Sequence, residues 1–520
     1  MREVLSQDSP KAALVACGLL VAVSGAGYGA PPAGDPAPNN RLLQVWEGKT
    51  QSGRGYVSSN ACRSCHLEQH TSWHNSYHRT MTQVVTPESM IAKLGTIEHP
   101  YTGEQCRVER QGDEFWVGLP RLSLQNAGSL GPNERGAPEA PAEGTKIWRR
   151  LVMSTGAHHY QLYWYPIGLG REIHMLPFVF LQEDQRWVPR ASVFLTPPGV
   201  PEQTRTWNAN CICCHSTDGQ PSYSSERVRS GGARGAAPDS RAAEFGIACE
   251  ACHGPGRKHA ETMQRQEQSK APRKTAPEKL YIVHPRKIAA SRSAEIGGQC
   301  HSVNFPYDRE GAATWLSEGP VYRPGEELGR FRYVVQPETV SKSPLVQALL
   351  RAQPRFLETK FWPDGKVRVI GREYNGLIDS PCFKGGEFSC VSCHSQHESE
   401  PDDLLSASNR GDQPCLKCHE SFGAELSKHT HHHAESSGSR CYNCHMPHTR
   451  YGLLNASRSH AIDSPSVASS VESGRPNACN ACHLDRTLAW TARRLTEWYG
   501  APPAELNRDR KPSQRPCCAY

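Results

Sequence analysis

Seven times along this chain two cysteines stand three residues apart with a histidine directly after the second. The copies are Cys62/Cys65/His66, Cys211/Cys214/His215, Cys249/Cys252/His253, Cys390/Cys393/His394, Cys415/Cys418/His419, Cys441/Cys444/His445 and Cys479/Cys482/His483. With 21 Cys and 24 His in 520 residues, composition alone would give about 0.04 copies of the motif. Two thiols at this spacing can add to the two vinyl groups of one haem, and the histidine then lies beneath the iron as its proximal ligand. Zinc also takes Cys-x-x-Cys pairs, but a tetrahedral zinc site does not require a histidine at that next position. Disulfide pairing leaves the histidines unexplained as well. The pattern predicts seven covalent haem c groups. An eighth site is damaged. Gly297-Gly-Gln-Cys300-His301 keeps the second cysteine and the histidine but has glycine in place of the first cysteine. Either haem attaches there through Cys300 alone or the site is empty.

Composition bears on what surrounds these sites. Only 37% of residues are hydrophobic, and there are 44 Gly and 40 Pro, so long apolar elements are scarce. The expected fold is mainly α with long loops and a few short strands. It is a multihaem cytochrome c fold built around packed covalent haems rather than a large apolar core. The haems then act as staples do in small disulfide-rich scaffolds, and the apoprotein is expected to be unfolded. The net charge of +7 is offset by haem propionates, so no nucleic-acid partner follows from it. Outside the motifs stand Cys17, Cys106, Cys213, Cys382, Cys517 and Cys518. Cys106 and Cys382 are candidates for a disulfide, which spacing alone cannot establish.

Residues 1–30 read as an export signal or N-terminal anchor. Arg2 and Lys11 precede an apolar run from Ala12 to Val23, and Ser24-Gly25-Ala26 fits a cleavage site. Cleavage, retention as a membrane anchor and lipidation at Cys17 are the alternatives, and all three place the chain outside the cytoplasm. A linker follows over 31–54, then a first haem module over 55–105. There His66, His70, His74 and His78 recur every four residues, which on a helix forms one stripe. Residues 106–200 are a β-rich insertion, with aromatic and β-branched runs such as His159–Tyr165. Central haem modules occupy 201–310, with two intact motifs and the damaged one. Residues 311–380 are free of haem motifs and include a hairpin over Lys360–Ile370 with a Pro-Asp-Gly turn. Four motifs, starting at 390, 415, 441 and 479, fill 381–503. A helix is expected to open at the last of them, with Leu484, Leu488, Leu495 and Trp498 on one face. Residues 504–520 are expected to be a disordered tail.

The wording around the motifs adds to their spacing. Ala61-Cys-Arg-Ser-Cys-His66 with Trp73 and Ser76-Tyr-His78, Trp207-Asn-Ala-Asn-Cys-Ile-Cys-Cys-His-Ser-Thr217 and Gly246-Ile-Ala-Cys-Glu-Ala-Cys-His-Gly-Pro-Gly256 resemble modules of a family of exported multihaem cytochromes c. So do Cys390-Val-Ser-Cys-His-Ser-Gln-His397, Cys441-Tyr-Asn-Cys-His-Met-Pro-His448 and Arg475-Pro-Asn-Ala-Cys-Asn-Ala-Cys-His483. The wider superfamily includes tetrahaem electron carriers of ammonia oxidisers, pentahaem nitrite reductase and octahaem hydroxylamine oxidoreductase. The resemblance implies closely packed haem pairs, mostly bis-histidine iron and periplasmic electron transfer. The Cys-x-x-Cys-Lys motif of the pentahaem nitrite reductases does not occur here, which argues against that enzyme.

Eight histidines follow a motif cysteine: His66, His215, His253, His301, His394, His419, His445 and His483. For the sixth ligand, position after a motif and the resemblance favour His78, His259, His397, His448 and His460, with one more from His429-Thr-His431-His432-His433. Met175 and Met446 are weaker axial candidates. Two functions are compatible with this ligand count. One is an electron carrier with mostly bis-histidine haems, serving redox partner proteins. The other is an oxidoreductase with one open haem acting on nitrite, hydroxylamine or another small nitrogen or sulfur compound. Tyr160 and Tyr163, beside His158 and His159, are conceivable active-site groups in the second case, against the plainer reading as packing aromatics.

Overall fold

The computed structural model of the protein describes residues 54–100, 103–120, 146–166, 171–193, 206–230, 238–268 and 280–506. The leader, nearly all of the linker, and all but the start of the tail lie outside the described residues.

Helix does not dominate. Among the described residues about 38% are helical and about 20% lie in strands, in five antiparallel sheets, which overturns the expectation of a mainly α chain. Most of the strand is a sandwich between the first and second haem motifs. Its strands are β1 (Thr82–Val84), β2 (Gly95–Glu98), β3 (Gln105–Gln111), β4 (Glu114–Pro120), β5 (Lys146–Leu151), β6 (Met153–Thr155), β7 (Tyr160–Pro166), β8 (Ile173–Leu181) and β9 (Arg186–Pro189). One sheet runs β9-β8-β7-β6-β1 and the other β2-β3-β4-β5.

The middle of β7 explains both the sandwich and why it is hard to read in the sequence. Tyr163 and Tyr165 enter a core with Val108, Val117, Leu119 and Leu151 of the second sheet. Leu162 and Trp164 alternate to the opposite face, where they meet Val179, Trp207 and Ile212. A strand buried on both faces lacks the apolar–polar alternation that marks a half-exposed strand, so only an aromatic run remains visible. Trp207 and Ile212 flank or belong to the second cysteine motif. The sandwich is therefore the platform on which that motif sits. Met175 is buried in this second core, which accounts for it as a packing residue.

A further apolar core joins Val303, Phe305, Tyr333, Val346, Leu349, Phe361 and Val367. Its helix α1 (Pro344–Ala352) starts with Pro344 after Ser343, whose side chain accepts from the Val346 N–H. In the hairpin, Trp362 N–H donates to Lys366 O (2.7 Å) and Gly365 has φ +82°, a left-handed turn conformation that suits glycine. These cores run against the expectation of a fold without a large apolar core. Fully burying a side chain such as Phe180 or Val346 is worth roughly 1.5–3 kcal/mol.

Two smaller expectations also change. The C-terminal helix α2 (Leu488–Tyr499) starts at Thr487, whose side chain accepts from Trp490 N–H, beyond the last motif; Leu484 stands outside it, 83% exposed. Cys106 is a free thiol in the sandwich core, and Cys382 is a free thiol near Cys415, so no bridge joins them.

Candidate haem sites

Every motif folds as one helical turn. The histidine N–H donates to the carbonyl of the first motif residue: His66 to Cys62, His215 to Cys211, His394 to Cys390, His419 to Cys415 and His483 to Cys479, each at 2.9 Å. Cys249–His253 and Cys441–His445 are short helices. The damaged motif makes the same turn, with His301 N–H donating to Gly297 O at 2.8 Å. Residues i, i+3 and i+4 share a helix face, so each turn offers its thiols and its imidazole on one side.

Six of these histidines face a second histidine ring. The centroid distances are 6.3 Å for His66–His259, 6.4 Å for His253–His397, 6.3 Å for His394–His460, 6.4 Å for His429–His445, 6.4 Å for His78–His301 and 5.9 Å for His432–His483. Direct ring stacking would be closer. With a metal–nitrogen bond of about 2 Å and about 1 Å from nitrogen to ring centre, two imidazoles on opposite sides of one metal ion have centroids about 6 Å apart. The spacing fits a haem iron between each pair. Burial lowers the pKa of His78 and His460 to about 4, so both are neutral at neutral pH, the form that binds a metal.

The motifs also touch one another. Thiols of different motifs meet at Cys62 and Cys249, at Cys214 and Cys300, and at Cys415 and Cys441. A Cβ added at Gly297 would stand 3.5 Å from Cys390 Sγ, so the glycine fills the place of a first cysteine packed on the first cysteine of its neighbour. Cys252 acts electrostatically on Cys300, Cys415 on Cys393 and Cys482 on Cys444. The eight turns form one connected series.

The second cysteines of the motifs differ in exposure. Cys65, Cys418 and Cys482 are exposed, whereas Cys214, Cys252, Cys300, Cys393 and Cys444 are partly buried. In the first and fifth motifs the first cysteine is the one that packs, Cys62 on Cys249 and Cys415 on Cys441. Cys65 and Cys418 stand almost one turn further on, exposed at the rim. Cys65 Sγ lies 3.8 Å from the exposed Ser64 Oγ, and Cys418 acts on Cys382, outside the motifs. An accessible thiol is the form open to reaction, so the rim position is compatible with thioether attachment at both.

A family model described as a doubled CXXCH motif matches residues 381–424. The crystal structure of the outer cell wall cytochrome OcwA is similar at a TM-score of 0.53, with 17% identity, over 86% of this chain and 87% of that one. At that identity the likeness is one of fold. The chain thus carries a doubled CXXCH motif and shares the fold of a multihaem cytochrome. No curated protein matches it in sequence.

Within this fold, the expected sixth ligands fall into distinct places. His78, His259, His397 and His460 each oppose a motif histidine. His448 is exposed and, among the described residues, faces no other histidine ring. The run 429–433 contributes two opposed rings, His429 and His432, where one was expected; His431 instead stacks on Trp498 at 4.2 Å. Nothing in the local sequence distinguishes His432 from His431 or His433. The stripe from His66 to His78 is broken. His70 and His74 lie in the helix Leu67–His74, with rings 5.8 Å apart, whereas His78 sits in the separate turn Tyr77–Thr80.

His215 and His419 have no opposing histidine among the described residues. His215 Nδ1 is buried without a partner, and burial, then the charges of Arg372 and His301, lowers the His215 pKa to about 4. Tyr160, adjoining Cys211, has its hydroxyl pushed up to about 12 by burial. Tyr163 packs in the sandwich core and hydrogen-bonds Gln161 and Ala92 N–H. His158 lies between Tyr77 (4.4 Å) and His159 (3.8 Å).

Glu373 and Arg450 carry no mark in the sequence, and the structure brings both to the damaged motif. Glu373 Oε2 accepts from His301 Nδ1 at 2.7 Å, and Oε1 accepts from Arg450 Nη1 at 2.9 Å. Burial opposes ionisation of Glu373, but the His301 hydrogen bond and the Arg450 charge hold its carboxyl well below the usual range.

Proposed function

We propose that this cytochrome is an exported electron conductor carrying eight haems, seven fixed by two thioethers and one by Cys300 alone. Six are held by the axial pairs His66/His259, His253/His397, His301/His78, His394/His460, His445/His429 and His483/His432. The observation that carries this reading is the recurrence of the 5.9–6.4 Å ring spacing at six separate motifs. Two strong axial ligands keep an iron low-spin and closed to substrate, which suits electron transfer. The contacts between motifs supply a path, and redox proteins are the partners at its ends. Export is supported by the apolar N-terminal run and by the outer cell wall location that the OcwA cytochrome is named for. Among the described residues no helix is long and apolar enough to cross a membrane.

The lack of an opposing histidine at His215 among the described residues favours a second reading, in which that haem has an open position for a small nitrogen or sulfur compound. Arg372 acts on both His215 and Tyr160, and would supply positive charge there.

Low-temperature EPR of the oxidised holoprotein, with a haem count from intact mass, tests both. Eight haems with at least six low-spin signals are expected. Fewer than six low-spin haems would sink the axial assignment. A high-spin signal that nitrite or hydroxylamine perturbs would establish the second reading, and a wholly low-spin spectrum would remove it.

A further inference from the structure

The damaged motif differs from the others in what its histidine leans on. His253 donates from Nδ1 to Val283 O (2.7 Å), His394 to Asp403 O (2.9 Å) and His445 to Asp463 O (3.2 Å). These are neutral backbone carbonyls. Among the described residues, His301 is the one motif histidine whose Nδ1 meets a carboxylate, Glu373 at 2.7 Å.

That carboxylate is fixed in place. Arg450, with a side chain only 2% exposed, donates to its other oxygen at 2.9 Å, and Gly371 N–H donates to the same oxygen at 3.1 Å. A buried guanidinium keeps its charge and needs an anion beside it, so the pair holds Glu373 ionised. Tyr374 N–H donates to His301 O at 2.9 Å, which locks the segment bearing Glu373 onto the motif. The opposing ring, His78, has a neutral partner, the Gln396 amide, at 3.1 Å.

A carboxylate on the outer nitrogen of a ligand histidine raises its basicity and pushes electron density onto the metal. Second-shell hydrogen bonds of this kind are among the levers that set a haem potential. A richer donor favours ferric over ferrous iron. The same site is the meeting point of the series, because Cys300 contacts Cys214, feels Cys252, and Gly297 abuts Cys390.

We propose that Glu373, clamped by Arg450, makes the haem at Cys300/His301 the lowest-potential haem of the chain, standing at the junction between the first three motifs and the last four. Glu373 is a positioning and tuning residue that acts through His301. Each transfer across the junction oxidises one iron by one electron and reduces its neighbour by one. Entry to the junction haem is uphill from either side, so the two halves of the chain behave as separate electron pools. The inference rests on the axial pairing of His301 with His78 proposed above.

The test uses the full-length holoprotein. Intact mass first counts haems, and a count of seven in the wild type overturns the eighth site and this inference with it. With eight present, spectroelectrochemical titration of wild type and Glu373→Gln is compared, alongside EPR. The component that reduces last in the wild type is expected to move upward in the variant, with one low-spin signal altered and the other components unmoved. An unchanged last component, or a shift in a different one, overturns the proposal while leaving the axial pairs standing. Should Glu373→Gln load fewer haems, Glu373→Asp retains the charge but withdraws it from Nδ1. It is expected to shift the same component upward, and no shift there overturns the proposal equally.

Discussion

The imidazoles of His394 and His460 face each other with centroids 6.3 Å apart and planes 20° apart. Each ring is turned by its own backbone partner: His394 Nδ1 meets Asp403 O at 2.9 Å, and His460 Nδ1 meets Arg458 O at 3.2 Å. With both outer nitrogens occupied, both inner nitrogens are left for the space between the rings. This is the second-shell arrangement that fixes the tautomer of a ligating histidine.

Replacing His460 with Ala should therefore open one iron and no other. The expected outcome is conversion of one low-spin EPR signal to high spin and the appearance of one carbon monoxide-binding haem on reduction. Retention of every low-spin signal at full intensity would show that His460 is not an axial ligand.

The sequence and the structure part company at identifiable places. The Cys-x-x-Cys-His turns are legible because all their chemistry lies within five consecutive residues of one helical turn. The partner of each turn is another matter. His259 opposes His66 from beyond the second and third motifs, and Glu373 reaches His301 from a different helix; neither relation leaves a periodic trace. The exposure of Cys65, Cys418 and Cys482 leaves no mark in their motifs either. The sandwich is hard to read in the sequence for a related reason. Strands such as β7, covered on one side by the second sheet and on the other by Trp207 and Ile212, carry no alternation to count. His448 shows the converse. It follows its motif closely, as a ligand would, yet it is exposed at the start of the strand His448–Gly452 and opposes no ring among the described residues.

The sandwich core makes its own prediction. Phe180 is fully buried, with Trp187 packed edge-on at 5.4 Å. Phe180→Ala should cost about 3–5 kcal/mol through lost transfer energy and a residual cavity. Denaturant unfolding followed by tryptophan fluorescence checks this. The Soret spectrum of the folded variant should be unchanged, since this face points away from Trp207 and the second motif. Altered haem absorption before unfolding would mean that the sandwich and the haem sites are not separable in this way.

Acid should disassemble the axial pairs in a defined window. Burial holds His78 and His460 at about 4, below the ordinary histidine value of about 6.5. A lowered histidine pKa means that the unfolded or unligated state takes up protons first. Stability is thus fully present above about 6.5, declines as pH falls below it, and stops declining once pH passes the folded value near 4. Iron ligation displaces the same proton and moves the loss to lower pH, never higher. A Soret titration of the holoprotein should show constant low-spin absorption above pH about 6.5 and high-spin conversion only toward the acid end. Conversion on the alkaline side would contradict the assignment of neutral imidazoles.

The damaged motif offers the most direct test of the eighth haem. Gly297 lies within the helix Ala290–Gly298, where glycine costs about 1 kcal/mol relative to alanine. The nearest atom to an added Cβ is Cys390 Sγ at 3.5 Å, an ordinary van der Waals distance. Gly297→Cys is therefore accommodated by the backbone and brings a thiol to the position that Cys62 holds against Cys249. Restoring the motif should convert a single thioether into two. In alkaline pyridine a haem with an unreacted vinyl group absorbs at longer wavelength than one with two thioethers. The wild-type band should carry a long-wavelength shoulder, and Gly297→Cys should remove it with the haem count by mass unchanged at eight. Cys300→Ala, which takes away the remaining thiol, should lower the covalent count by one. If the wild type shows no shoulder and Cys300→Ala changes no mass, no haem is attached at this site, and His301 and His78 oppose each other for another reason.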